Sequence, residues 1–227
     1  MSGMLRRLAI PLVALSLLAT ACGHKEKKPA TAERQPPPGQ PATAAKAIPD
    51  TGVAEKIVIK TPEGTRPVEF HIGKNETKIE SVSAGLLLRG VLRDDGKRKY
   101  EREGGSAIAE VKSEGSHFKL RTTDGKLLWK IKDDGAKIKI SNNEENANPY
   151  ELKRGDEEIS VRENGTEIGK VKFYTDRGKV KVKDAAGKEL YESNNERQST
   201  MFGVMLMARI PETERYIIMA ELASRGL

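Results

Sequence analysis

The sequence predicts a mainly β domain: an antiparallel meander closing into a barrel (or sandwich), followed by a C-terminal apolar helical hairpin. Three observations carry this. From residue 56 onward, short runs rich in β-branched and aromatic residues alternate apolar with charged side chains, as half-buried strands do. Asp-Gly and Asn-Gly pairs separate these runs at intervals of roughly 8–12 residues, the spacing of all-β sandwiches and barrels. Residues 199–227 drop both features, and Met201 to Ala208 forms a continuous apolar run.

The N-terminal stretch comes first. Arg6 and Arg7 precede an apolar run from Leu8 to Leu18, and small residues then lead to Cys22. A cationic end, about 11 apolar residues and a small-residue cleavage site describe a secretory signal peptide, here 1–21. The run is shorter than the roughly 20 residues a membrane span needs. "LATAC" at 18–22 resembles the lipobox of bacterial lipoproteins, with Ala19 where Leu is usual. The resemblance implies cleavage before Cys22, a diacylglycerol on its sulfur and an acyl chain on its new amino group. Such lipids exceed what stable anchoring requires. Cys22 is the only cysteine of the chain, and acylation accounts for a lone thiol in an exported protein. Gly23 in the next place implies, by the same resemblance, the periplasmic face of the bacterial outer membrane. The acyl chains on Cys22 are the only covalent lipid expected, and no cofactor is.

Residues 22–50 read as a tether. From Gly23 to Asp50 there are six of the chain's eleven prolines and almost no large apolar side chain. Such a composition cannot bury enough surface to offset its ordering entropy. His24, Lys25, Lys27 and Lys28 stand where they can meet anionic head groups, or simply space the domain from its anchor.

Residues 51–227 are long enough for one domain with its own core. Strands are expected at 56–60, 68–72, 85–92, 107–112 and 117–121, then at 126–132, 136–140, 158–162, 167–174 and 179–183. Asp95-Gly96, Asp124-Gly125, Asp134-Gly135, Asn164-Gly165 and Gly187 supply the positive φ angles of tight turns. Lys137 and Lys139, then Lys179, Lys181 and Lys183, share one face of their strands. They read either as a basic surface for anionic lipid or glycan, or as a solvated outer face guarding against edge-to-edge aggregation. The formal net charge is +7, and losing Arg6 and Arg7 with the leader leaves 38 basic against 33 acidic residues. With no nucleic-acid-binding motif and an exported location, no nucleic-acid partner is expected.

The tail reads as two helices, about 199–209 and 212–224. Met201 to Ala208 is apolar on every side, so it needs a protein interior, and Leu206→Lys is expected to destabilise. Pro211, with Glu212 and Glu214 after it, marks the start of the second helix, and Gly226 marks its stop.

Repeated turns from Asp95 to Gly187, followed by "FGVMLMA" at 202–208, resemble the tubby C-terminal-like fold. That group includes the LURP-one-related and phospholipid-scramblase-like families, in which a closed β-barrel wraps a central apolar helix. Pro211 interrupts the tail where the family has a single long helix. The resemblance carries over no binding residue, since no position here matches the basic residues with which some members hold phosphoinositides.

Catalytic patterns are thin. His24, His71 and His117 lack metal-ligand spacing, so no metal site is expected. Ser106 follows two glycines without the nucleophile-elbow pattern. The Asp pairs at 94–95 and 133–134 precede turn glycines, and "NNEEN" at 142–146 lacks the helix–loop–helix calcium pattern. No catalytic residue is assigned and no enzyme is expected. The leading functional reading is a membrane-anchored periplasmic lipoprotein acting as a non-catalytic binding or structural module, with an envelope protein or anionic lipid or glycan as partner. The alternatives are a lipid-handling module, and an enzyme whose site has no recognisable pattern.

Overall fold

The computed structural model describes residues 54–82 and 85–227. The signal peptide, Cys22 and the tether lie outside them. Fourteen strands follow in chain order: β1 Glu55–Ile59, β2 Val68–Ile72, β3 Glu76–Ser81, β4 Leu86–Leu92, β5 Lys97–Arg102, β6 Ala107–Glu114 and β7 His117–Arg121. The second half comprises β8 Leu127–Asp133, β9 Lys137–Ser141, β10 Tyr150–Arg154, β11 Glu158–Glu163, β12 Thr166–Tyr174, β13 Lys179–Asp184 and β14 Glu189–Asn194. Each pairs antiparallel with its sequence neighbour, in a single sheet. The sheet curls until its two ends meet. Lys60 and Glu192 exchange backbone hydrogen bonds of 2.8 Å, and Ser193 Oγ donates to the Val58 carbonyl at 2.7 Å. The meander is thus nearly closed into a barrel.

Tight turns make this possible because consecutive antiparallel strands need few linking residues. Between β7 and β8, Thr122 N–H donates to the Lys126 carbonyl at 2.9 Å and Gly125 N–H to the Thr122 carbonyl at 3.0 Å. Gly125 sits at φ 89°, where a Cβ is strained.

Strand alternation sorts the side chains. Inward positions such as Ile57, Phe70, Leu88, Ile138, Leu152 and Val171 are fully buried. Outward positions are largely charged, the inverse of a membrane-spanning barrel, whose outer band is apolar. Among the described residues no helix is long and apolar enough to cross a membrane.

Inside the wall lies the tail. The second helix, α1 (Glu212–Ser224), is buried on every side from Tyr216 to Ala223. It packs against β2 and β3, with the Tyr216 ring edge-on to Phe70 at 6.2 Å. It ends in a Schellman turn, in which Leu227 N–H donates to the Leu222 carbonyl at 2.9 Å and Gly226 N–H to Ala223 at 3.0 Å. The other arm of the expected hairpin is not α-helical. It is a 3-10 helix, Thr200–Leu206, capped by Ser199 Oγ, and it lies against β10 to β13. Gly203 explains the close approach, since a Cβ there would stand 2.5 Å from Leu152 Cδ2 and 3.1 Å from Val161 Cγ2. Gly203 also lowers helix propensity, and the tighter spiral fits a wall this near.

Two expectations for this arm need correction. Leu206 is only partly buried and Ala208 is exposed, because the last turn reaches the barrel rim. Fully buried Val204 or Ile218 is the sharper position for a stability test. Ile218→Ala is expected to cost about 2–4 kcal/mol through lost burial and a residual cavity. Thermal melting of the full chain should then fall by roughly 5–15 °C. Ala208→Lys, at the rim, should leave the melt within about 2 °C.

Candidate functional site

The five lysines singled out in the sequence lie outward on the barrel wall, but not as one cluster. Lys137 and Lys139 are on β9, while Lys179, Lys181 and Lys183 are on β13, with three strands between. Four of them hold carboxylates from the adjoining strand. Lys137 Nζ donates to Glu151 Oε1 at 2.7 Å, with Lys139 Nζ 4.0 Å from the same atom. Lys179 pairs with Glu192 at 2.6 Å, and Lys181 donates to Glu189. These contacts hold the Glu192 carboxyl below its ordinary range through Lys179, and raise the Lys181 ammonium through Glu189.

Strand register connects the two groups. Lys137 faces Lys153 on β10, Lys153 faces Ser160 on β11, Ser160 faces Lys170 on β12, and Lys170 faces Lys183 on β13. The result is an outward rung across five strands without a carboxylate in it. Like charges directly opposite one another repel. Lys137 and Lys170 hold Glu151 at 2.7 Å and Glu158 at 4.0 Å, whereas among the described residues Lys153 and Lys183 form no ion pair, although Glu189 on β14 faces Lys183. The sequence could not show this rung, because Lys153 belongs to a strand that its charged composition hides.

A second cationic group lies on β7 and β8. Lys119 faces Lys130 across the strand pair, and Arg121 is the next outward residue of β7. Glu144, from the loop after β9, sits among them, 3.1 Å from Lys119 Nζ, 3.3 Å from Arg121 Nη2 and 3.7 Å from Lys130 Nζ. Each charge steadies the other: Lys119 holds the Glu144 carboxyl down, and Glu144 holds the Lys119 ammonium up. The "NNEEN" loop is therefore an ion-pairing element. Asn143 shapes it, donating from Nδ2 to the Ala147 carbonyl at 2.9 Å and accepting from Ala147 N–H at 2.8 Å.

The carboxylates and the serine with catalytic chemistry in the turns are engaged locally. Asp95 and Asp134 accept backbone N–H groups within their own turns, from Lys97 and Lys137. Asp133 accepts from Gly135 N–H and from Arg154 Nη1 at 2.8 Å. The Ser106 carbonyl closes the β5–β6 turn. His71 points outward on β2, where Glu69, His71 and Glu80 bring one ligand atom each within 4.8 Å of one another. Sequence spacing could not reveal that trio, since Glu80 arrives across the β2–β3 pair. Lys56 Nζ already stands 2.6 Å from Glu69 Oε1 and lowers that carboxyl's pKa, so an ammonium occupies the cation's place.

The buried charges sit inside the barrel. Glu221 on α1 is 1% exposed. Tyr100 Oη donates to its Oε1 at 2.7 Å, and Arg225 Nη2 donates to its Oε2 at 2.6 Å. Arg98 Nε stands 3.5 Å away, while its two other nitrogens donate to Thr77 Oγ1 and the Lys74 carbonyl. Burial, then the Glu221 charge, push the Tyr100 phenol far above its ordinary range, so it remains a donor. This network fastens α1 to β3 and β5. The Trp129 indole, on β8, adds a hydrogen bond to Glu214 at the helix start. Glu221→Leu leaves Arg98 buried and unpaired and is expected to destabilise by about 3–5 kcal/mol, measured by denaturant unfolding. Outside the barrel, hydrogen bonding from His117, then Lys112, depresses the Glu114 carboxyl to about 2. Its stabilising contribution is present above the ordinary carboxylate range and is lost as pH falls through about 2. A carboxyl-carbon NMR titration of Glu114 should therefore show its midpoint well below those of exposed glutamates.

No protein-family model matches this chain and no curated protein matches it, so function is read from its own residues.

Proposed function

We propose that the chain is a lipoprotein of the bacterial envelope, held by Cys22 on the periplasmic face of the outer membrane. Its β domain serves there as a non-catalytic binding and structural module that engages anionic lipid or glycan. The observation supporting this most is the filled interior. From Tyr216 to Ala223 every residue of α1 is buried within the wall, so a lipid held inside would have to displace the core. Recognition then passes to the outer wall. There the Lys137–Lys153–Ser160–Lys170–Lys183 rung sets Lys153 and Lys183, which have no ion-paired carboxylate, opposite Lys137 and Lys170, which pair with Glu151 and Glu158, and an anionic surface would relieve the opposed charges. The tubby-like resemblance accords with the plugged barrel, and the basic wall supplies a membrane-facing role without a cavity.

Vesicle co-sedimentation tests the reading, with the full chain carrying Cys22→Ser so that acyl chains do not anchor it. Vesicles containing phosphatidylglycerol should bind it more tightly than phosphatidylcholine alone, and salt should weaken the difference. Replacing Lys153, Lys170 and Lys183 by Gln should lower that binding on the order of a hundredfold, at about 1 kcal/mol for each lysine near an anionic surface. Equal binding to both vesicles would overturn the proposal, and specific capture by an envelope protein would reassign the wall to that partner.

A further inference from the structure

The cationic group on β7 and β8 differs from the rung in one respect: the chain fills it with its own carboxylate. Lys119 and Lys130 are directly opposed, and their side chains are only 14% and 17% exposed. Two half-desolvated ammonium groups at this spacing require an anion between them. Glu114 Oε2 lies 3.4 Å from Lys119 Nζ, and Glu144 meets the rest of that need imperfectly. Its two oxygens serve three cations, and Lys130 Nζ is left at 3.7 Å from the carboxylate while donating to the Glu144 carbonyl at 2.6 Å.

Glu144 is also delivered by a loop, not by a strand. Asn146 and Asn148 hold positive φ angles of 56° and 49°, and Ser141 Oγ donates to Asn146 Oδ1 at 2.9 Å. The Glu144 side chain itself is 46% exposed. A partly exposed carboxylate in surface ion pairs is held by only about 1 kcal/mol per pair. An incoming anion can therefore compete for its place.

We propose that Lys119, Arg121 and Lys130 form a binding site for a phosphate group, and that Glu144 is its built-in competitor, displaced when phosphate enters. A phosphate offers more acceptor oxygens than a carboxylate. It can take over Arg121 Nη2, whose neighbour Nη1 stays on the Gly125 carbonyl at 2.8 Å, together with both ammonium groups. The site extends the reading of the outer wall as the recognition surface, on strands apart from the Lys137–Lys183 rung. Free phosphate and a lipid headgroup present the same chemistry of recognition.

The test uses the full chain carrying Cys22→Ser in zwitterionic detergent, titrated with inorganic phosphate against chloride at equal ionic strength. In a second arm the micelles are doped with phosphatidylglycerol. Glu144→Gln should bind phosphate about fivefold more tightly than the parent, because the competing closed state is removed. Adding Lys119→Gln should abolish that gain, and thermal melts confirm that both variants remain folded. A gain in the micelle arm alone assigns the site to headgroups, and a gain with inorganic phosphate assigns it to free phosphate as well. The proposal is overturned if Glu144→Gln binds neither probe more tightly, if the gain survives Lys119→Gln, or if chloride competes as well as phosphate. Should the rung variants lose vesicle binding while Glu144→Gln changes nothing, this inference fails and the wider reading of the wall stands.

Discussion

A wall of fourteen strands encloses more space than its own inward side chains can fill. About eight strands is the size at which those side chains suffice, and larger barrels hold water, ligand or a plug. Here the plug is the tail of the same chain, and most features of the domain follow from that requirement. From Tyr216 to Ala223 α1 is buried around its whole circumference, with Glu221 its one charged residue there, because it packs against the 3-10 segment as well as against β2 and β3. The preceding segment tightens into a 3-10 helix with a glycine at its closest approach because β10 to β13 leave it little room. Neither half is complete alone. An empty wall would leave its apolar inner surface to water, and a free α1 would expose the apolar side chains between Tyr216 and Ala223.

Hydrophobic burial is non-directional, so it holds the plug without fixing its rotation or depth. The buried Glu221 network supplies the direction. One carboxylate meets a phenol and a guanidinium from β5 and a second guanidinium from the end of α1 itself, and sliding the helix by a turn would carry Arg225 along but separate Glu221 from Tyr100 and Arg98. Buried ion pairs often add little net stability relative to apolar replacements. The value of this one lies in selecting a single packing of an otherwise featureless helix. Long-range contacts of this kind, joining residue 221 to residue 100, raise the sequence separation of native contacts, which slows folding.

The sequence carries the barrel clearly and the polar interior hardly at all. Ten strands are legible because apolar and charged residues alternate or because apolar runs end at glycine turns. β3, β5, β10 and β14 are not, because segments such as KRKYER and ETKIES bury polar residues or keep few apolar ones. Arg98 and Thr77 point inward, and a buried arginine reads as a surface residue until its carboxylate partner is known. That partner, Glu221, is likewise hidden in the helical pattern. The basic wall was legible strand by strand, through Lys137, Lys139, Lys179, Lys181 and Lys183. Its continuity needed the register, and the Glu144 nest needed the path of a loop.

Because the plug occupies the interior, the recognition proposed above belongs to the outer surface and depends on the integrity of the filled barrel. Amide hydrogen exchange across Ile217–Leu222 in the full chain tests that occupancy most directly. These amides should exchange as slowly as those of Ile138 and Leu152 in the wall, through global unfolding alone. Exchange orders of magnitude faster, with the strand amides still protected, would mean that the helix leaves an intact barrel, and would contradict the plugged interior.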